Sequence, residues 1–227
     1  MIKPRSVRNK VYKYGVYDGT LVLDSREGEG CFRFLNGWVY KGAWQNDSIN
    51  GKGTMTYSNK DYYIGEWLNG MRHGKGVMVW YGRSIYKGYW KCNKREGAGV
   101  IYKPNGKVIY DGWWVNDMYN RFGIRYYDDG SRYEGRWVDN KREGSGNEYS
   151  TKGKMIYKGK WRDDMYNGYG TRYYDDRSRY EGRWVDNKRE GYGIQYNSNG
   201  TIDYKGEWKN DYKQTFMGRV KNWLFGN

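Results

Sequence analysis

The stretch RYYDDGSRYEGRWVDNKREGSG, residues 125–146, returns almost unchanged 47 residues later as RYYDDRSRYEGRWVDNKREGYG, residues 172–193. Inside it lies the smaller unit that decides the fold: Tyr133-Glu134-Gly135-Arg136-Trp137, a polar run, then Gly144-Ser145-Gly146. Residues two apart on a strand share a face, so Tyr133, Gly135 and Trp137 point one way while Glu134, Arg136 and Val138 point the other. The run Asp139-Asn140-Lys141-Arg142-Glu143 reads as the polar turn of a hairpin, with the glycine pair opening the return strand.

Outward from this stretch the same pattern fills the chain. It appears as Tyr40, Gly42, Trp44; Tyr63, Gly65, Trp67; Tyr86, Gly88, Trp90; and Tyr110, Gly112, Trp114. After Tyr133 it continues as Tyr157, Gly159, Trp161; Tyr180, Gly182, Trp184; and Tyr204, Gly206, Trp208. Successive tyrosines are 23 or 24 residues apart, a period that marks a repeat architecture. Glycine pairs follow at Gly51/Gly53, Gly74/Gly76, Gly97/Gly99, Gly144/Gly146, Gly168/Gly170 and Gly191/Gly193, and a worn first copy shows at Tyr17, Gly19, Gly28 and Gly30. Two copies depart: Arg121 replaces the first glycine of one pair, and Thr215 and Met217 stand where the last pair belongs. In the 24-residue copies the extra residue falls between the glycine pair and the next tyrosine, where it is expected to lengthen a loop. Asn105-Gly106, Asp129-Gly130 and Asn199-Gly200 are dipeptides of tight hairpin turns.

The expected fold is all-β: an elongated single-layer antiparallel meander of tandem hairpins. About 18 strands at ~4.8 Å each give a ribbon on the order of 85 Å. Three glycines per repeat lie beside a tyrosine and a tryptophan, which predicts rings seated on bare main chain. A second tyrosine row (Tyr102, Tyr126, Tyr149, Tyr173, Tyr196) falls on the opposite face. Residues 1–16 form a basic N-terminal segment, 17–213 the array with repeats starting near 17, 40, 63, 86, 110, 133, 157, 180 and 204, and 214–227 a tail. In the tail, Phe216, Val220, Trp223 and Leu224 fall at helical spacing, which predicts a short amphipathic capping helix.

The net charge of +15 favours anionic partners. Lys3, Arg5, Arg8, Lys10 and Lys13 crowd the N-terminus; Lys158, Lys160 and Arg162 cluster opposite the tryptophan face, with Lys87, Lys91, Lys205 and Lys209 in comparable slots. Lys94-Arg95, Lys141-Arg142 and Lys188-Arg189 are expected along one edge. No run approaches the roughly 20 apolar residues of a membrane span, and no signal-peptide core is present. Cys31 and Cys92 occupy different places in the repeat, which reads as reduced thiols in an intracellular protein. Catalysis finds no footing. The single histidine, His73, stands at a turn position that carries Glu96, Glu143 or Glu190 in other copies. No metal-ligand spacing or phosphate loop occurs, and Asp128-Asp129 and Asp175-Asp176 read as turn formers. Neither metal nor cofactor is expected.

Tyr-Glu-Gly-x-Trp, a polar turn ending in Lys or Arg, then Gly-x-Gly, every 23 residues or so, resembles the MORN (membrane occupation and recognition nexus) repeat, in about nine copies over 17–213. The resemblance implies an elongated single-layer sheet of hairpins, and scaffolding, homodimerisation, or binding of peptides or acidic lipid headgroups; no attached catalytic domain is expected. The first expectation is therefore a non-catalytic scaffold or adaptor for a protein partner or a second copy. A peripheral membrane adaptor binding acidic phospholipids is the alternative. Nucleic-acid binding comes third, because the repeat itself accounts for the Tyr and Trp positions. The expected setting is intracellular, soluble or peripheral at a membrane or large assembly; such arrays also occur in large DNA viruses, so a virion component is included.

Overall fold

The computed structural model describes residues 3–214, and the chain divides into two compact units, Met1–Met118 and Tyr119–Asn227. The first holds β1 (Arg5–Tyr12), β2 (Gly15–Val22), β3 (Ser25–Phe34), β4 (Val39–Gln45), β5 (Ser48–Thr56), β6 (Tyr62–Leu68), β7 (Met71–Trp80), β8 (Ser84–Lys91), β9 (Lys94–Tyr102) and β10 (Val108–Val115). Then come β11 (Met118–Tyr126), β12 (Arg132–Val138), β13 (Lys141–Tyr149), β14 (Met155–Arg162), β15 (Met165–Tyr173), β16 (Arg179–Val185), β17 (Lys188–Tyr196), β18 (Ile202–Lys209) and β19 (Tyr212–Lys213). Within each unit every strand pairs antiparallel with its sequence neighbours, giving the expected single-layer meander. The basic segment is part of it, since β1 pairs with β2. The tail residues Phe216, Val220, Trp223 and Leu224 lie outside the described residues.

The rings sit where the spacing puts them. Tyr17, Tyr40, Tyr63, Tyr86, Tyr110, Tyr133, Tyr157 and Tyr180 are wholly buried, and the tryptophans of the pattern nearly so. Tyr133 covers two glycines paired across the strands: a Cβ on Gly146 would lie 2.1 Å from its hydroxyl, and one on Gly135 2.4 Å from it. The hydroxyl turns back to donate to the Arg136 carbonyl at 3.1 Å. Trp161, from the next repeat, meets Tyr133 edge-on at 5.1 Å and donates its indole N–H to the Gly146 carbonyl at 3.1 Å.

The third glycine has a different cause. Gly144 has φ +68°, and its missing Cβ is not what makes room for a ring; it sits in a bulge where the register slips between Gly135 and Trp137. Gly51, Gly97, Gly168 and Gly191 do the same at φ between 66° and 98°. Only glycine adopts this region without steric strain, so Arg121, at φ +53°, carries a local strain. Arg121→Gly should raise stability by about 1 kcal/mol, measured as a shift in the urea midpoint at constant slope; a lowered midpoint would refute the strain.

Three turn expectations are corrected. The five-residue polar turns are two-residue turns, with φ > 0 at both residues (Asp139 48°, Asn140 69°), and Lys141, Arg142 and Glu143 already belong to β13. This mirror-image turn matches the strand twist, and Asn and Asp tolerate it. The Asn-Gly and Asp-Gly loops are instead longer: the Gly130 amide donates to the Tyr127 carbonyl, and Gly130 closes the loop at φ +90°. Asp129 accepts from the Ser131 amide at 2.8 Å, the turn-forming role expected of it. The extra residue of the 24-residue copies lengthens no loop. Register slips between Val108 and Tyr110, Glu148 and Tyr149, and Gln195 and Tyr196 absorb it as a strand bulge.

The Lys-Arg pairs do not line an edge together. Arg142 folds onto the ring face, its guanidinium 4.1 Å from the Trp161 ring, its Nε 3.0 Å from an Asp164 carboxylate oxygen and a terminal nitrogen 2.7 Å from the Asp164 carbonyl. Arg26 with Asp47, Arg95 with Asp117 and Arg189 with Asp211 repeat this clasp. The position is filled by Tyr119 and Tyr166 in alternate repeats of the second unit, each packing on the next tryptophan at 5.5 Å. Burial explains the choice: a guanidinium stacked on an indole and paired with a carboxylate leaves no charge unmatched.

Candidate interaction surfaces

Beyond the ring ladder the inner face differs between the units. The residue paired with each following tyrosine is Phe32, Met55, Met78 and Ile101 in the first unit. In the second it is Arg125, Glu148, Arg172 and Gln195. An apolar floor in one unit thus becomes a polar one in the other. The reading from sequence passed over this row, although its position, two residues past each glycine pair, makes it legible.

The apolar floor is walled by more rings. Phe32 and Phe34 stand 4.6 Å apart, Phe34 and Trp38 6.4 Å, and Trp38 and Tyr57 4.9 Å. An open hollow of about 620 Å³ lies there, lined by Trp38, Met55, Tyr57, Trp67 and Met78 with Asp61, Arg72 and Asn93 as polar members. Burial pushes the Tyr57 phenol up, as it does Tyr63 and Tyr86, so all three stay protonated hydrogen-bond donors.

Asp61 anchors the rim. It is buried and accepts from the Tyr81 amide at 2.8 Å, from Asn59 at 3.0 Å and from Arg83 at 2.8 Å. Burial alone would raise its pKa; the three donors together outweigh it and hold the carboxyl below its ordinary value. A depressed carboxylate contributes stability that is complete above the unfolded pKa of about 4 and is lost as pH falls through the native value. Asp61→Ala should therefore cost about 1–3 kcal/mol at neutral pH, a gap to the unaltered chain that narrows below about pH 4. Denaturant titrations at several pH values check this; a gap independent of pH would show that the charge is not what holds the rim.

The basic residues singled out from sequence are spread over several strands. Lys158, Lys160 and Arg162 share the outer face of β14; Lys87 lies over the Tyr102 ring at 5.5 Å on the outer face of the first unit, with Lys91 on the same strand. Lys205 and Lys209 stand on β18. Arg162 is paired with Asp186 at 3.4 Å, and Arg5 and Lys10 both reach Asp24. Lys3, Arg8 and Lys13 belong to the same N-terminal stretch, Arg8 within β1. The outer tyrosine row is present as expected, with Arg132 stacked 3.8 Å from Tyr149 and Arg179 3.7 Å from Tyr196. His73 is not in a loop: it lies half-buried in β7, opposite Glu66. Cys31 and Cys92 are free thiols. Among the described residues no His, Cys, Asp and Glu cluster is arranged to hold a metal ion, and no helix is long and apolar enough to cross a membrane.

The family model described as the MORN repeat matches nine consecutive segments: 17–39, 40–62, 63–84, 86–108, 110–132, 133–155, 157–179, 180–202 and 204–214. The family is that of a repeat and brings no catalytic domain. Among curated proteins nothing matches. Among solved structures, the chain is similar to the TCP domain of Drosophila melanogaster SAS-4 (dCPAP), solved in complex with a proline-rich motif of Ana2 (15% identity, TM-score 0.28, covering 77% of this chain and 81% of that one). It is also similar to the E1021V mutant of the TCP10 domain of Danio rerio CPAP (11% identity, TM-score 0.31, covering 80% and 90%). At these scores the two likenesses carry nothing about function.

Proposed function

The chain belongs to the MORN repeat family, and from that premise we propose that it is a non-catalytic scaffold whose first unit receives an apolar segment of a protein partner on its inner face. The observation that carries this is the hollow over Trp38, Met55, Tyr57, Trp67 and Met78. Its floor is flexible methionine, which adapts to differently shaped guests, and its walls are rings with little entropy to lose on binding. Asp61, Arg72 and Asn93 supply a few polar anchors among its apolar lining, the usual composition of a recognition site. The inner face of the second unit, with Arg125, Glu148 and Arg172 in the same row, lacks such a floor.

The test is selection from a random peptide library against the full chain. Enriched peptides should carry apolar anchors and lose at least tenfold in affinity, on the order of 1.4 kcal/mol or more, on Trp38→Ala or Met78→Lys, but not on Tyr169→Ala in the second unit. Light scattering on the unliganded chain separates a foreign partner from a second copy: a dimer broken by Met78→Lys makes the partner another copy. If peptides are not enriched and the chain is monomeric, the docking role falls.

A further inference from the structure

Three rings on the outer face of the second unit are not explained by the repeat. Phe122, Tyr169 and Tyr192 occupy the middle position of the glycine pairs, where other copies carry Glu29, Lys52, Lys75, Ala98 or Ser145. They cover no glycine and are 65%, 69% and 49% exposed. Sequence alone ranks nucleic acid last among partners on the ground that the repeat accounts for the aromatic positions; it does not account for these.

Two of the three have a cationic cross-strand neighbour. Phe122 pairs with Arg136 and Tyr169 with Arg183, while between them Ser145 pairs with Lys160, whose amino group donates to the serine at 2.9 Å. Among the described residues no ion pair engages Arg136 or Arg183. The row ends at Glu207, opposite Tyr192, so three cations face one acid along it. Tyr169 and Tyr192 are two strands apart, about 9.6 Å, and Phe122 is four strands from Tyr169, about 19 Å. The same face already stacks guanidinium on phenol at Arg132–Tyr149 and Arg179–Tyr196, where Glu134 and Glu181 neutralise the arginine. Arg136 and Arg183 have no such acid.

We infer that the outer face of the second unit binds single-stranded nucleic acid, with Phe122, Tyr169 and Tyr192 stacking on bases and Arg136, Lys160 and Arg183 meeting phosphates. An antiparallel sheet face with exposed rings on β11, β15 and β17 is a platform on which unstacked bases lie flat, and every base offers a π-face to it. An acidic protein segment would satisfy the cations but has no use for three open rings. A duplex would meet a flat surface with nothing to enter a groove, its bases stacked out of reach.

Fluorescence anisotropy of a labelled oligothymidylate with the full chain tests this. Saturable binding is expected, and three phosphate contacts weaken it roughly 20-fold between about 50 and 200 mM salt. Phe122→Ala with Tyr169→Ala should lose roughly tenfold or more per ring, while Tyr169→Phe keeps the affinity and Tyr89→Ala, an exposed ring of the first unit, changes nothing. Arg136→Ser with Arg183→Ser should flatten the salt dependence. These side chains are exposed, and an unchanged far-ultraviolet spectrum confirms that the variants fold. The inference is overturned by an absence of binding at low salt, by equal affinity for duplex, by ring variants that bind unchanged (adhesion to a polyanion only), or by capture on phosphatidylserine vesicles without any on the oligonucleotide.

Discussion

Gly146→Ala should destabilise the second unit by about 3 kcal/mol, the upper range for overpacking a filled interior, whereas Gly144→Ala two residues away should cost about 1–2 kcal/mol. The two glycines belong to one motif yet act through separate physics. A methyl at Gly146 would sit 2.1 Å from the Tyr133 hydroxyl and 2.4 Å from the ring carbon that bears it. That ring cannot yield, being wholly buried, bonded to the Arg136 carbonyl and wedged by Trp137 and Trp161 at 5.0 and 5.1 Å. A methyl at Gly144 meets only the Arg136 side chain at 3.1 Å, which can swing aside, so backbone strain at φ +68° is the main cost. Denaturant unfolding of the two variants decides; equal losses would mean that the ring is not seated on Gly146.

Trp161→Ala is the second large effect, about 3–5 kcal/mol. Trp161 is buried against Tyr133, Tyr157 at 5.3 Å and Tyr166 at 4.7 Å, under the Arg142 guanidinium, and its removal strips the Gly146 carbonyl of a donor. In a repeat array each module is stabilised by its neighbours. The loss should therefore appear first as faster hydrogen exchange in β13–β16, leaving β2–β8 protected until global unfolding. Uniform acceleration across both units would contradict a stability built from neighbour contacts.

The strand layout, the face assignments and the seats of Tyr133 and its equivalents were legible because a two-residue period and a missing Cβ leave direct marks in sequence. The turns were not. Asp139-Asn140 and Asp129-Gly130 are both plausible tight turns by composition, and only the register, fixed by where Gly135 meets Gly146, tells a two-residue turn from a longer one. The bulges were hidden for the same reason, since one extra residue looks the same in a loop as in a strand. Arg142 misled in another way: beside Lys141 it reads as surface charge, but its acid, Asp164, comes from the following hairpin. The apolar row of Met55 and Met78 was passed over because sparse aliphatics, averaged over the chain, conceal their concentration in one unit.

The clasp has a consequence for how such a chain changes length. In every instance it runs forward, from Arg142 to Asp164 or Arg189 to Asp211, never back. In the second unit Arg142 and Arg189 alternate with Tyr119 and Tyr166, as the bulged spacings alternate with the plain ones. Excision of residues 125–171 would join Ile124 to Arg172, which opens the same RYYDD run that Arg125 does. Every joint downstream would then find its native counterpart. Loss or gain of residues in steps of 47 thus changes the number of strands while leaving the chemistry of every joint as it was.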